Sequence, residues 1–439
     1  MSIREVARRL PKRTLLLVAA LVIAAVAAFG PGGTSSNGKP SPARAMSYVT
    51  GHRLDLGAPG IAVGVVSRAG MRTQASGNVD VDTPMVVGSV TKSVTALAVM
   101  QLVEVKKLNL DQPVVHYLTD FATADPGYSN QITVRELLSQ TSGIPTAAGV
   151  DPLFGPETTL TRQVAALRTV HSVRPGDFAY SNMNYEILGE LIERVSGQTY
   201  AAYLHAHVLG PLDMTHTYTD LASAKAGGLE TGHRIWFGVG VSTGIYYRSD
   251  FLPAGFLVST VVDLDHYLTA MLNGGRYRGH SVLSPAGVHT LISKATPATS
   301  FGVAGGYGFG WYQRPTGDLN MVIDPGIAQN VHADLVLCPQ SKVGVALLAN
   351  AESDLYLGTI PKFDLAALNA TSIAASGKTS SGLVGGLYVI FDLIVAGALF
   401  IYVRMLARVI RGTTRWYPRS WRSIIASGAW RLARPAWSL

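Results

Sequence analysis

A single cysteine, Cys338, stands in 439 residues, which excludes an internal disulfide and a zinc site built from four thiolates. Charge is also scarce. Only 15% of the residues are Asp, Glu, Lys or Arg, against roughly 25% in ordinary soluble domains, while 48% are hydrophobic. That balance excludes an intrinsically disordered chain, which combines low hydrophobicity with high charge. It also argues against a purely soluble protein. No internal repeat is evident, and the length admits two to three domains of about 150 residues.

Acidic side chains are the rarer sign, 28 against 36 basic ones, giving a formal charge of +8. The excess is confined to the ends. Residues 1–13 carry Arg4, Arg8, Arg9, Lys12 and Arg13 against Glu5, and residues 404–439 carry eight arginines and no acid. Setting aside those thirteen bases and one acid leaves 23 Lys+Arg against 27 Asp+Glu, so the middle of the chain is mildly acidic. A basic isoelectric point therefore reports topology, and no nucleic-acid partner is expected.

Each basic end abuts an apolar run. Residues 14–29 form a 16-residue run after the first basic stretch, with a small-x-small site at Ala25-Val26-Ala27, so 1–29 reads as a signal peptide or an N-terminal membrane anchor. Residues 382–403 form a 22-residue run whose sole charge is Asp392, long enough for a transmembrane helix. Arginines follow at once, which places the C-terminus in the cytoplasm and the segment between the runs outside it. The 404–439 tail interleaves Trp416, Trp421, Trp430 and Trp437 with arginine and suits an anionic lipid surface. Gly382 and Gly386 make one G-x-x-x-G, compatible with a membrane homodimer. Asp392 reads either as a functional carboxylate or as a protonated, helix-paired one. Gly/Ser/Pro-rich stretches at 30–45 and 371–381 read as linkers, leaving 46–370 as the folded domain.

Within that domain, residues 59–77 pattern as two strands turning at Arg68-Ala69-Gly70. Helical periodicity runs from Ser89 to about Val105, over 132–144, over 180–197 with Gly197 as its stop, and over 263–275. Strand-like runs return at 307–313, 334–338 and 343–350. Strands at both ends with helices between predict an α+β fold, with one sheet assembled from distant segments.

The chemistry concentrates at Gly88-Ser89-Val90-Thr91-Lys92. On a helix, Ser89 and Lys92 share a face, a desolvated lysine can act as base to a serine, and the helix N-terminus favours an oxyanion. S-x-x-K alone is equally an N-cap serine followed by a surface lysine. Tyr180-Ser181-Asn182, at a second helix start, offers a phenol for proton relay and an amide for a substrate carbonyl, or else a cap with a buried aromatic. His205 and His207, two apart on a helix, do not share a face and read as surface histidines.

Together these segments resemble the serine β-lactamase and penicillin-binding superfamily, especially class C β-lactamases and related esterases. The match rests on GSVTK at 88–92, LLSQTSGI at 137–144, PGDFAYSNMNYEILG at 175–189, GPLDMTHT at 210–217 and PAGFLVSTVVDLDHY at 253–267. The closing strands at 307–313 and 339–350 extend it. The resemblance implies a central antiparallel sheet flanked by helices, plus a mainly helical subdomain with the site between them. It implies Ser89 as nucleophile, Lys92 and Tyr180 as proton-transfer groups, Asn182 as a substrate-orienting amide, and the N–H groups of Ser89 and Ile327 as oxyanion donors. It implies neither cofactor nor metal. The third family motif, Lys/His-x-Gly, is replaced by Asp324-Pro325-Gly326. Gly326 preserves close backbone approach to a ligand, whereas Asp324 does not suit a substrate carboxylate and is expected to keep Lys92 protonated. Lys342-Val343-Gly344 falls one strand too late to substitute.

The expected function is a membrane-tethered extracytoplasmic serine hydrolase working through an acyl-enzyme on Ser89, with an ester, amide or peptidoglycan-related peptide as substrate. Two alternatives stand beside it. One is a non-catalytic binding or sensing domain that lost turnover through Asp324; the other is a membrane scaffold resting on the C-terminal tail.

Overall fold

The first and last strand-forming runs of the domain meet in one antiparallel sheet. The computed structural model describes residues 38–378, less 237, 294–295, 301–302, 317 and 353–361, together with the single positions 397 and 404. In chain order the elements that frame the site are helix α1 (Pro42–Gly51), strands β1 (Gly60–Ser67) and β2 (Gly70–Gly77), and helices α2 (Thr91–Glu104), α3 (Asn182–Ser196) and α4 (Val261–Leu272). There follow strands β3 (Thr296–Ser300), β4 (Val303–Tyr307), β5 (Tyr312–Thr316), β6 (Leu319–Ile327), β7 (His332–Cys338) and β8 (Val343–Ala349), and helix α5 (Lys362–Ser376). The sheet order is β2-β1-β8-β7-β6-β5-β4-β3. The N-terminal hairpin thus docks on the last strand, with Ile61 opposite Ala349.

β7 and β8 are buried at every position, because helices cover both faces of the sheet. α4 packs on β1 and β8 on one face, and α1 and α5 pack together on the other. Directly opposed residues of an antiparallel pair share a face. Asp324 and Gly326 on β6, opposite Leu335 and Ala333, therefore point with the α4 side. His332 and Asp334 point to the α5 side. α2, α3 and the short helices Val134–Leu138, Thr146–Val150 and Leu160–Ala166 make the helical subdomain beside the sheet. The expected α+β architecture of an antiparallel sheet with flanking helices is present.

Several boundaries differ from the sequence reading. The domain begins at α1, which Ser41 caps by accepting from the Arg44 N–H, so 42–45 are helix and not linker. Residues 371–376, expected as linker, are the end of α5. Their hydroxyls bond within the helix, Thr371 Oγ1 donating to the Ala367 carbonyl at 2.8 Å, which lets small polar residues be buried. The helix expected over 132–144 is only Val134–Leu138, opened by a Thr133–Glu136 capping box, with Gln140 already in left-handed backbone. The run 307–313 is two strands joined by a turn at Gly310, not one. Among the described residues, no helix is long and apolar enough to cross a membrane. The apolar runs at 14–29 and 382–403, and the tail with its tryptophans, lie outside the described residues.

Candidate active site

Ser89 sits in the turn Gly88–Val90 that leads into α2. Gly88 makes that turn possible twice over. Its φ of +54° is left-handed, and a Cβ there would lie 2.6 Å from the Ile327 nitrogen. The same closeness sets the Ile327 N–H of β6 against the serine turn. Gly326 is required for the same contact, since a Cβ on it would stand 2.0 Å from the Val87 carbonyl oxygen. The turn is tied to the segment after helix Leu252–Gly255 by Val87 N–H donating to the Leu257 carbonyl at 2.9 Å. The Leu257 N–H in turn donates to Thr91 Oγ1 at 3.2 Å.

α2 is buried along nearly its whole length, and Lys92 goes with it at 1% exposure. The lysine Nζ donates to Ser89 Oγ at 2.9 Å and to the Ala254 carbonyl at 2.5 Å. It also lies 5.0 Å from the centre of the Tyr180 ring. Withdrawal from water lowers its pKa to about 7; Asp324 and Glu186 pull the other way and lose. The expected upward pull of Asp324 on Lys92 is thus present, and burial outweighs it.

Tyr180 donates its hydroxyl to Ser89 Oγ at 2.9 Å. Burial pushes this phenol well above its ordinary pKa, which keeps it a proton donor. Its loop is gripped by Gln140 from the LLSQTSGI segment. Ala179 N–H donates to the Gln140 carbonyl at 2.8 Å, and Ser181 N–H to Gln140 Oε1 at 3.0 Å. Asn184 Nδ2 reaches the same Oε1 at 2.5 Å. Lys92, three residues on, and Tyr180, distant in sequence, thus converge on the Ser89 oxygen.

The remaining expected residues are placed less uniformly. Asn182 opens α3 and spends its Nδ2 on the Gly149 carbonyl at 3.0 Å, so the amide first positions its own loop. Asp324 lies in the site's floor at 3% exposure, hydrogen-bonded to Ser93, and is not presented to a substrate. Burial drives its carboxyl pKa far up, towards the neutral acid. Lys342 points away from the site and donates to the Leu272 carbonyl at 2.7 Å. His205 and His207 are exposed, as expected. Two further groups of the site lie inside the quoted segments without being singled out by them. The Ala254 carbonyl is backbone, and Glu186, buried beneath Lys92, reads in sequence as an ordinary helix residue.

Known proteins resemble this chain in sequence and in fold. The chain is 29% identical to Protein flp of Staphylococcus aureus over 278 residues, which covers 61% of this chain and 53% of that protein. It therefore spans about half the length of the curated relatives it first matches. The octameric penicillin-binding protein homologue from Pyrococcus abyssi superposes with a TM-score of 0.64 at 25% identity, covering 75% of this chain and 76% of that one. A class C β-lactamase superposes at 0.63 with 18% identity over 75% and 96% of the two chains, a likeness of fold. The Beta-lactamase family matches residues 43–362 of this chain, nearly the whole of the folded domain just described. The chain belongs to the Beta-lactamase family.

Proposed function

We propose that this protein is a serine hydrolase that acylates Ser89, held at a membrane with its folded domain outside the cytoplasm. The observation that carries the reading is the pair of 2.9 Å hydrogen bonds to Ser89 Oγ, from a lysine with pKa near 7 and from a protonated phenol. Neutral Lys92 takes the Ser89 proton as Oγ attacks a substrate carbonyl. The N–H groups of Ser89 and Ile327 hold the developing oxyanion at the N-terminus of α2. Tyr180 hands a proton to the departing oxygen or nitrogen and is reprotonated from the Lys92 ammonium. Water then releases the acyl group.

Asp324 occupies the position where the family's third motif carries a base, and it offers no positive charge. This favours an acyl substrate, ester or amide, without a carboxylate at that end. Membrane tethering is supported by the 22-residue apolar run at 382–403 and the arginines after it. The test is labelling of the full-length protein with a fluorophosphonate probe and with a fluorescent penicillin, beside Ser89→Ala. Label on Ser89, faster with the uncharged probe, is the expected result. A folded protein that takes up neither probe would overturn the proposal.

A further inference from the structure

Across the sheet from Ser89, His332 and Asp334 lie two apart on β7 and face α5. Asp364, in the first turn of α5, meets them there. Asp334 Oδ2 lies 2.9 Å and Asp364 Oδ1 3.1 Å from His332 Nε2. All three side chains are at most 1% exposed. The other imidazole nitrogen, Nδ1, is bonded to Glu352 Oε2 at 2.5 Å, and the Phe363 ring stacks on the imidazole at 4.9 Å. None of these groups serves the chemistry at Ser89.

We propose that His332 Nε2, Asp334 and Asp364 form a binding site for one first-row divalent cation, of the zinc or manganese type, that fastens α5 to the sheet. Three observations carry it. First, Asp334 Oδ1 and Asp364 Oδ2 are buried without a hydrogen-bond donor, a costly state for carboxylate oxygens. Second, Glu352 orients the ring as metal-bound histidines are oriented, one nitrogen on a carboxylate and the other turned towards the candidate ligands Asp334 and Asp364. Third, ligands about 2.1 Å from a metal stand about 3.0–3.4 Å apart at octahedral to tetrahedral angles, close to the spacings at Nε2. The candidate ligand atoms all lie within 4.8 Å of one another.

A mixed imidazole and carboxylate set suits zinc or manganese better than the all-oxygen preference of calcium.

The test uses the full-length protein purified without chelator. Metal content by mass spectrometry is expected to approach one zinc or manganese per chain. After chelation, titration with Zn2+ and with Mn2+ is expected to restore one equivalent and to slow amide exchange in α5. Asp364→Asn and Asp334→Asn, both near-isosteric, are expected to weaken that equivalent at least tenfold. If either variant misfolds, the other, and the exchange of the chelated native chain, still decide. Native protein that binds no equivalent at micromolar Zn2+ or Mn2+, or variants that bind it as tightly, would overturn the site and leave a buried imidazolium among its carboxylates. Neither result bears on Ser89.

Discussion

Lys92 and Asp324 lie within electrostatic reach of each other beneath Ser89, and burial, not their mutual attraction, sets the lysine's charge. A lysine with an ordinary pKa is neutral in well under about 1% of molecules at pH 7; one with a pKa near 7 is neutral in about half. In the proposed mechanism, the substitution that made the third motif look defective thus leaves Lys92 able to act as base.

The pH dependence of Ser89 labelling follows from this. The rate is expected to rise with pH along a limb centred near 7, where Lys92 loses its proton. Asp324 acts to raise that value, so Asp324→Asn is expected to leave the limb in place or move it to lower pH. Stopped-time labelling across pH 5–9 measures both. A limb displaced upward, or a folded Asp324→Asn that no longer labels, would mean the carboxyl takes part in the chemistry itself.

Stability and activity should part company at Lys92. Its depressed pKa means that the unfolded chain binds the extra proton between about pH 7 and 10.5, so the residue's contribution to stability rises with pH across that window. Below it the folded state carries a buried charge. Lys92→Met removes that charge at similar volume and is expected to raise Tm at pH 6 while cutting labelling by at least about 10³-fold. Calorimetry beside probe kinetics tests the pair of effects, and a Met variant that melts lower at pH 6 would contradict the burial argument.

Tyr180→Phe isolates the proton relay. The phenol's one side-chain hydrogen bond goes to Ser89, so the fold should hold with Tm changed by no more than a few degrees. Acyl transfer should fall by about 10²–10⁴-fold. Retention of full rate would assign the relay elsewhere.

Two glycines separate steric contact from backbone strain. A Cβ at Gly326 would meet the Val87 carbonyl oxygen at 2.0 Å, so Gly326→Ala must push β6 off the serine turn. A loss of about 2 kcal/mol or more and at least about 100-fold in labelling is expected. At Gly197 φ is +72° and no atom lies within 4 Å of a Cβ, so Gly197→Ala costs only the left-handed conformation, about 1 kcal/mol, with labelling unchanged. Urea melts and probe kinetics on the two variants make the comparison.

Much of the site was legible because local geometry encodes it. Three residues on a helical turn bring Ser89 and Lys92 together whatever surrounds them, and Gly197 ends α3 because few other residues take its backbone angles. The N-terminal hairpin likewise showed in two strand-type runs around a tight turn, the first of them apolar. What failed did so for identifiable reasons. The end of α5 reads as linker because Thr and Ser look solvent-seeking until their hydroxyls bond the preceding turn. The Ala254 carbonyl carries no side-chain signal, and Glu186 is a catalytic neighbour only after two helices pack.

The one-dimensional pattern therefore singled out Ser89, Lys92 and Tyr180 as the candidate residues and showed the order of strands and helices that carries them. Their protonation was decided by the tertiary structure alone. The sign of Asp324 is written in its letter, but its effect on Lys92 depends on how much water reaches either group. Likewise His332 and Asp334 share a strand face by alternation, while Asp364 joins them only when α5 closes over the sheet. Desolvation and convergence are properties of packing across long sequence separations, and no window of residues contains them.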